Sequence, residues 1–522
     1  EMHLSQPGGS PEAIAVPSAA SAVPVTVEVV LHPRNPRATA AEAAAAVRAA
    51  LSSKTDFSSS GANLARGDPR LSELAESARI TDSGASAHTP LLSWQVSLRV
   101  LAYRLCEEEP CDEYGDGDDA EGEPIATYRE WLLPNRAFHG QWEALVYGEE
   151  ERDGALGSST AGPSSCEQHG DGSGLKRRLL KYASAALRFA DRGVDPAVIQ
   201  FNRVVLLHGP PGTGKTSLCR ALAQRLAVRH RRRFPRAHFV EVNAHSLFSR
   251  WFSESGKLVS RLFGKISEVV EDPDALVFVL IDEVESLTAA RKAAVAGSEP
   301  SDAVRVVNAL LTQLDALRAN PNVLILTTSN LVDAIDLAFV DRADIKAFVG
   351  PPGLSTRYAI LRSAVLELCR KHVVSRPAAL PARDGWGRPQ LPPVSPLPTA
   401  APPGFSPPSP ASQTEAEEAL LLQALPPHSM LGTVAEQTTP AIRLLLQCAA
   451  ETEGLSGRAL RKLPFLAYAE LSLDDNDAEV EEDAGAGAGA PPHAPFPCER
   501  FLETLVNAAV GEQRTRSHLP CA

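Results

Sequence analysis

The stretch GPPGTGKTS at 209–217 constrains this chain more than any other. It fits G-x-x-x-x-G-K-[ST], follows the short apolar run VVLLHG and precedes SLCRALAQRLAV, a segment of helix-forming residues. A strand, a glycine-rich turn and a helix in that order call for an α/β core, with the turn lifted to the sheet edge and the helix aiming its first amides into it. Gly209, Gly212 and Gly214 allow backbone N–H groups to turn inward around phosphates, and Pro210, Pro211, Thr213 and Ser217 complete the loop. Lys215 places a cation on the β- and γ-phosphates, and Thr216 offers a hydroxyl to Mg²⁺.

Between 175 and 350, the apolar runs VVLLHG, ALVFVLIDE and NVLILTTSN alternate with helical stretches. Parallel strands are buried on both faces and need long crossovers, so this spacing predicts a mostly parallel sheet covered by helices. The amphipathic LKRRLLKYASAALRFA opens that domain, which is expected to span 175–370. Upstream, VTVEVVLH at 25–32 and SWQVSLRVLAYRL at 93–105 alternate like half-buried strands around the helix-forming TAAEAAAAVRAALSS. A small α+β domain over 25–148 is expected, after a disordered lead at 1–24 and before a Gly/Ser-rich linker at 149–174. The chain holds 42 prolines in 522 residues, above the ordinary share of ~5%. Many crowd into 377–411, which reads as an insertion, like the Gly/Ala-rich 483–495, within a small helical lid at 371–522.

VFVLIDE at 277–283 ends an apolar strand in two carboxylates. Asp282 is suited to the metal shell, and Glu283 to polarising an attacking water beside the γ-phosphate. Together with the glycine-rich loop this pair predicts a nucleoside triphosphatase using Mg²⁺. A third strand ends in TTSN, bringing Asn330 to the same edge, either to bond the water or γ-phosphate or simply to end the strand in a turn. Arg342, flanked by Asp341 and Asp344, is either half of a surface ion pair or an arginine finger for a neighbouring subunit's nucleotide. Trp251 and Phe252 stand side by side in the polar SRWFSESGK, an arrangement that favours a contact surface over a core.

Other features narrow the class. A net charge of -13 and a pI near 5.6 count against general binding of nucleic acid or anionic membranes, so the basic run RHRRRFPR at 229–236 reads as a solvated loop. No apolar run approaches the ~18 residues that span a bilayer, and EMHLSQPGGS lacks the features of a signal peptide. A soluble intracellular protein is expected. The 8 cysteines form no CxxC pair and read as reduced thiols. The absence of HExxH after the nucleotide domain counts against a protease.

In this order, GPPGTGKTS, VFVLIDEVESL, LTTSN and AFVDRADIK resemble the AAA+ ATPases. With HSLFSRWFSESGKLV, AGSEPSDAVRVVNALLTQLD and GLSGRALRKLPFLAYA, the wording is similar to the pachytene checkpoint protein 2 family, densely over 138–370 and 440–470. The resemblance implies a homo-hexamer that hydrolyses ATP between subunits and converts closed HORMA-domain proteins to the open state with a HORMA-type adaptor. It implies action in meiotic chromosome-axis and recombination control and in spindle-checkpoint silencing, in nucleus and cytoplasm and on meiotic chromosomes. It makes Trp251 and Phe252 the substrate pore loop, Asn330 sensor 1, Arg342 the finger and Arg458 the ATP-contacting sensor 2 arginine. It also makes the N-terminal domain the one that binds substrate and adaptor. Many AAA relatives carry two arginines after sensor 1; here VDRADIK supplies Arg342 alone, with Lys346 nearby.

Overall fold

A computed structural model describes residues 22–52, 63–83, 96–114, 126–148, 174–195, 198–243, 255–286, 302–330, 337–377, 420–431, 439–476 and 495–518. The chain divides into two compact units, Glu1–Arg104 and Leu105–Ala522.

In the first unit, β1 (Val23–Leu31) leads to α1 (Ala40–Ser52), then α2 (Pro69–Leu74), β2 (Ala75–Ser83) and β3 (Val96–Tyr103). The strands form a sheet in the order β2-β1-β3, antiparallel on one side of β1 and parallel on the other. β1 opens at Val23, inside the stretch expected to be a disordered lead. Val25, Val27 and Val29 alternate onto one face and pack with Ala43, Val47 and Leu51 of α1. A capping box starts that helix: Thr39 N–H donates to Glu42 Oε2 at 3.0 Å, and Glu42 N–H donates to Thr39 Oγ1 at 3.2 Å. The Arg104 guanidinium closes the loop before it, donating to the carbonyls of Asn35, Pro36 and Ala38 at 2.8–2.9 Å.

The second unit runs β4 (Cys111–Tyr114), β5 (Ala126–Leu133), α3 (Gln141–Ala144), α4 (Gly174–Asp191), β6 (Val204–His208), α5 (Lys215–His230) and β7 (Arg236–Asn243). It continues with α6 (Ser255–Val270), β8 (Ala275–Asp282), α7 (Asp302–Leu317), β9 (Val323–Ser329), α8 (Leu337–Arg342) and β10 (Ile345–Phe348). The helices α9 (Leu354–Arg370), α10 (His428–Leu431), α11 (Pro440–Glu451), α12 (Gly457–Asn476) and α13 (Cys498–His518) follow. Seven strands form one sheet in the order β10-β6-β9-β8-β7-β5-β4, parallel from β10 to β7 and antiparallel over the last two.

Both faces of this sheet are covered, as the continuous apolar strands require. Along β8, Val277, Val279 and Ile281 meet Val259, Phe263 and Ile266 of α6 and Leu310 and Leu314 of α7. Leu276, Phe278 and Leu280 point the other way, into Leu218, Leu222 and Leu226 of α5 and Leu179 and Leu187 of α4. The lid has its own core, in which Tyr358, Leu361 and Val365 of α9 join Ile442, Leu445, Leu460, Leu463, Phe501 and Leu505.

Two expected boundaries move. Residues 105–148, read with the N-terminal domain, supply β4 and β5 to the large sheet, where Trp131 sits opposite Phe239 across the β5–β7 ladder. The α9 helix, read as the last of the large domain, buries its apolar face in the lid. The expected linker at 149–174 lies outside the described residues up to Ser173, with Gly174 opening α4. The insertion at 377–411 lies outside them beyond Pro377, and the one at 483–495 before Pro495 is reached. The basic run forms surface pairs, Arg233 with Asp191 at 2.6 Å and Arg236 with Asp272 at 2.7 Å. Cys106, Cys111, Cys219, Cys369, Cys448 and Cys498 are all unbridged. Among the described residues no helix is long and apolar enough to cross a membrane.

Candidate active site

Parallel register brings the chemistry to one edge. His208 of β6 aligns with Ser329 of β9, Thr327 of β9 with Ile281 of β8, and Asp282 of β8 with Asn243 of β7. The glycine-rich loop, the Asp282–Glu283 pair and Asn330 therefore leave the sheet side by side at its carboxyl end, where α/β sheets hold ligands.

The loop is shaped by what packs against it. Gly209 has φ +144°, and a Cβ there would lie 2.3 Å from the Val349 carbonyl oxygen, so no side chain fits. Gly212 has φ +78°, and its Cβ would meet Ser456 Oγ of the lid at 2.7 Å. The Gly212 carbonyl accepts from the Arg458 backbone N–H at 3.1 Å, which seats the start of α12 on the loop with the Arg458 side chain exposed. Tyr147 Oη donates to the Gly214 carbonyl at 3.3 Å, closing the loop from a third side. Thr213 Oγ1 donates to the Pro210 carbonyl at 3.0 Å.

Lys215 is buried at the first position of α5, and its Nζ donates to the carbonyls of Gly209 and Pro210, both at 2.8 Å. Burial pulls its ammonium below the usual lysine range, against the opposing pull of the Glu285, Asp282 and Glu283 carboxylates. His208 is held below its ordinary value by burial and then by the Lys215 charge.

Thr216 and Asp282 meet as the sequence pattern expects. Thr216 Oγ1 lies 3.0 and 3.1 Å from the two Asp282 carboxylate oxygens. The Thr328 hydroxyl donates to the same carboxylate from β9 and accepts from the Glu283 N–H at 3.3 Å. Glu283 itself has φ +59°, a left-handed conformation that a non-glycine residue adopts at a cost. The Asn330 amide donates to Glu283 Oε1 at 3.4 Å, and its backbone N–H donates to Glu285 Oε1 at 3.1 Å.

A hydroxyl beside a carboxylate suits Mg²⁺, a hard cation that takes one or two protein oxygens and completes its shell with phosphates and water. That is why no larger group of metal-ligating side chains is needed, and among the described residues there is none. Thr216 and Asp282 fit the ion, and at the same sheet edge Glu283 and Asn330 are joined by the hydrogen bond just described.

Arg342 ends α8 away from this cluster. Its Nε donates to Asp315 Oδ1 at 3.0 Å and its Nη2 to Asp315 Oδ2 at 2.7 Å, so it takes part in an ion pair whose partner is on α7. Asp344 is engaged elsewhere, accepting from the backbone of Asn202 at 2.6 Å and Arg203 at 2.8 Å and from the Tyr182 hydroxyl. Lys346 is exposed on the edge strand β10. Trp251 and Phe252 lie outside the described residues.

Sequence reasoning passed over Thr328, Glu285, Tyr147 and Asp315. Thr328 and Glu285 sat within quoted motifs, two residues from Asn330 and Glu283, Thr328 inside β9 and Glu285 just past the end of β8. The contacts of Tyr147 and Asp315 span 67 and 27 residues and leave no local signal.

A mostly parallel sheet with this loop, an acidic pair, an asparagine just beyond the next strand and a helical lid defines an AAA+ ATPase. Residues 205–351 match the family model "ATPase family associated with various cellular activities (AAA)", and 411–482 match "TRIP13-like, AAA+ ATPase lid C-terminal domain". A pachytene checkpoint protein 2 homolog of Arabidopsis thaliana is 48% identical over 393 residues, covering 75% of this chain and 71% of the relative. The Oryza sativa subsp. indica homolog is 44% identical over 87% of this chain and 84% of its own, and the Mus musculus homolog 42% over 77% and 78%. The solved structure of C. elegans PCH-2 aligns with a TM-score of 0.62 at 29% identity, over 94% of this chain and 99% of that one. The chain belongs to the pachytene checkpoint protein 2 family of AAA+ ATPases and is an ATP hydrolase.

Proposed function

We propose that this ATPase remodels HORMA-domain proteins, converting closed conformers to the open state with a HORMA-type adaptor. What carries the reading is 42–48% identity to pachytene checkpoint protein 2 homologs over more than two thirds of the chain. The match of a TRIP13-like lid supports it. The working form is a Mg²⁺-dependent homo-hexamer acting in nucleus and cytoplasm and on meiotic chromosomes, in chromosome-axis and recombination control and in spindle-checkpoint silencing.

Within each subunit, the glycine-rich loop and Lys215 hold the phosphates, and Arg458 reads them from the lid. Thr216 and Asp282 hold the metal ion, whose charge would offset that developing on the phosphates. Glu283 accepts a proton from the attacking water, with Asn330 fixing its carboxylate. Arg342 reaches the nucleotide of the next subunit. Trp251 and Phe252 grip substrate in the central pore, and the N-terminal unit recruits substrate and adaptor.

The test is conversion of a purified closed HORMA protein, followed by ion-exchange separation of its two conformers, with adaptor, ATP and either the parent or Glu283→Gln. Parent-only conversion is expected. A parent preparation that hydrolyses ATP but leaves every closed HORMA protein unchanged would sink the reading.

A further inference from the structure

A single arginine serving a neighbour's nucleotide needs its guanidinium held at a fixed angle, because charge stabilisation of a phosphoryl transition state depends on placement. Arg342 is gripped along one edge of its planar fork by both oxygens of Asp315, at 3.0 and 2.7 Å. Two parallel bonds fix orientation as well as distance.

Asp315 is itself fixed. It lies in the last turn of α7, and Arg318 just beyond donates from Nη1 to Asp315 Oδ1 at 2.9 Å. The Arg318 guanidinium also bonds the Asn202 side chain, and the Arg318 carbonyl accepts from the Arg203 guanidinium. Arg203 is buried, has φ +57° and immediately precedes β6, the strand that carries the phosphate loop. A chain of contacts thus runs from the foot of β6 through Arg318 and Asp315 to Arg342.

Stability does not explain the arrangement well. Asp315 is 42% and Arg342 28% exposed, and pairs so open to water contribute little to folding. Orientation is what the bidentate geometry supplies. We infer that Asp315 is the positioning residue for Arg342, holding the arginine in the attitude that serves the adjoining subunit's nucleotide and tying it to the base of its own phosphate-loop strand. The inference rests on the reading of Arg342 as the trans-acting finger.

The test compares steady-state ATPase and ATP affinity of the full chain with Asp315→Asn, Asp315→Glu, Arg342→Ala and the Asp315→Asn/Arg342→Ala double variant. Asp315→Asn is expected to lower kcat about tenfold to a hundredfold, the cost of a misplaced group, with the Kd for ATP changed less than about twofold. Asp315→Glu, which keeps the charge, should recover part of kcat, and the double variant should be no slower than Arg342→Ala alone. If Arg342→Ala collapses kcat while Asp315→Asn turns over like the parent, the inference fails and the finger reading stands. Multiplying losses in the double variant, or loss of ATP affinity and Tm along with kcat in Asp315→Asn, would also overturn it. Parent-like turnover by Arg342→Ala removes the finger reading and this inference together.

Discussion

At the residue scale, the phosphate site concentrates unlike charges that only burial and hydrogen bonding keep in place. Lys215→Ala deletes the one loop cation and is expected to weaken ATP binding at least ~30-fold, the equivalent of about 2 kcal/mol or more, by titration calorimetry. Glu283→Gln keeps shape and the Asn330 contact but cannot accept a proton, so ATP affinity should hold while kcat falls ~100-fold or more. Thr328 is buried and satisfies both the Asp282 carboxylate and the Glu283 N–H. Thr328→Val leaves both without that partner and should cost about 1–3 kcal/mol in urea unfolding, with a fall in kcat. The Arg342 guanidinium holds the Asp315 carboxyl below its ordinary value of 3.8. A carboxyl depressed by folding contributes stability that is full above the unfolded value and is lost as pH falls through the folded one. Below about pH 4 the parent should therefore lose Tm more steeply than Asp315→Asn, by a small margin because the pair is open to water.

At the element scale, the loop is a meeting point of β10, the lid and the segment around Tyr147, and its glycines record those neighbours. Gly212→Ala would combine a positive φ with a clash against Ser456 Oγ. Strain of this kind costs about 1–3 kcal/mol, so both Tm and ATP affinity should drop. Adding Ser456→Gly removes the clash but not the dihedral cost and should restore only part of each. Full restoration in the double variant would mean that φ at 212 carries no penalty. The elements that form this site were the legible ones: β6, β8 and β9 are continuous apolar runs, and each ends in its own polar motif. RAHFVEVN of β7 and ATYREWLL of β5 mix polar and apolar residues, and neither pattern marks a strand of a buried sheet. Nothing local tells β5 that its partner lies beyond α4, β6 and α5, so 105–148 was grouped with its sequence neighbours. The same limit hid Asp315, which meets Arg342 across 27 residues of sequence and not by adjacency to it.

At the scale of the whole molecule, the proposed function makes hydrolysis and work on a substrate separable, and Trp251→Ala is the variant that tests the separation. The proposed function assigns Trp251 to the pore loop, where a large flat side chain would grip a chain passing through. Trp251→Ala would remove that grip and leave Lys215, Asp282 and Glu283 as they are, so the Kd for ATP should be that of the parent. Stimulation of turnover by a closed HORMA protein with adaptor should disappear, and conversion to the open state should fall below about a tenth of the parent rate, since aromatic anchors of this kind are worth ~2 kcal/mol or more. A core tryptophan would behave differently: truncation would cost about 3–5 kcal/mol and lower Tm and ATP affinity together. Melting, ATP affinity and conversion measured on one preparation distinguish the two. Unchanged melting with undiminished conversion would exclude both, and substrate grip would then have to be sought at Phe252 or elsewhere in the ring.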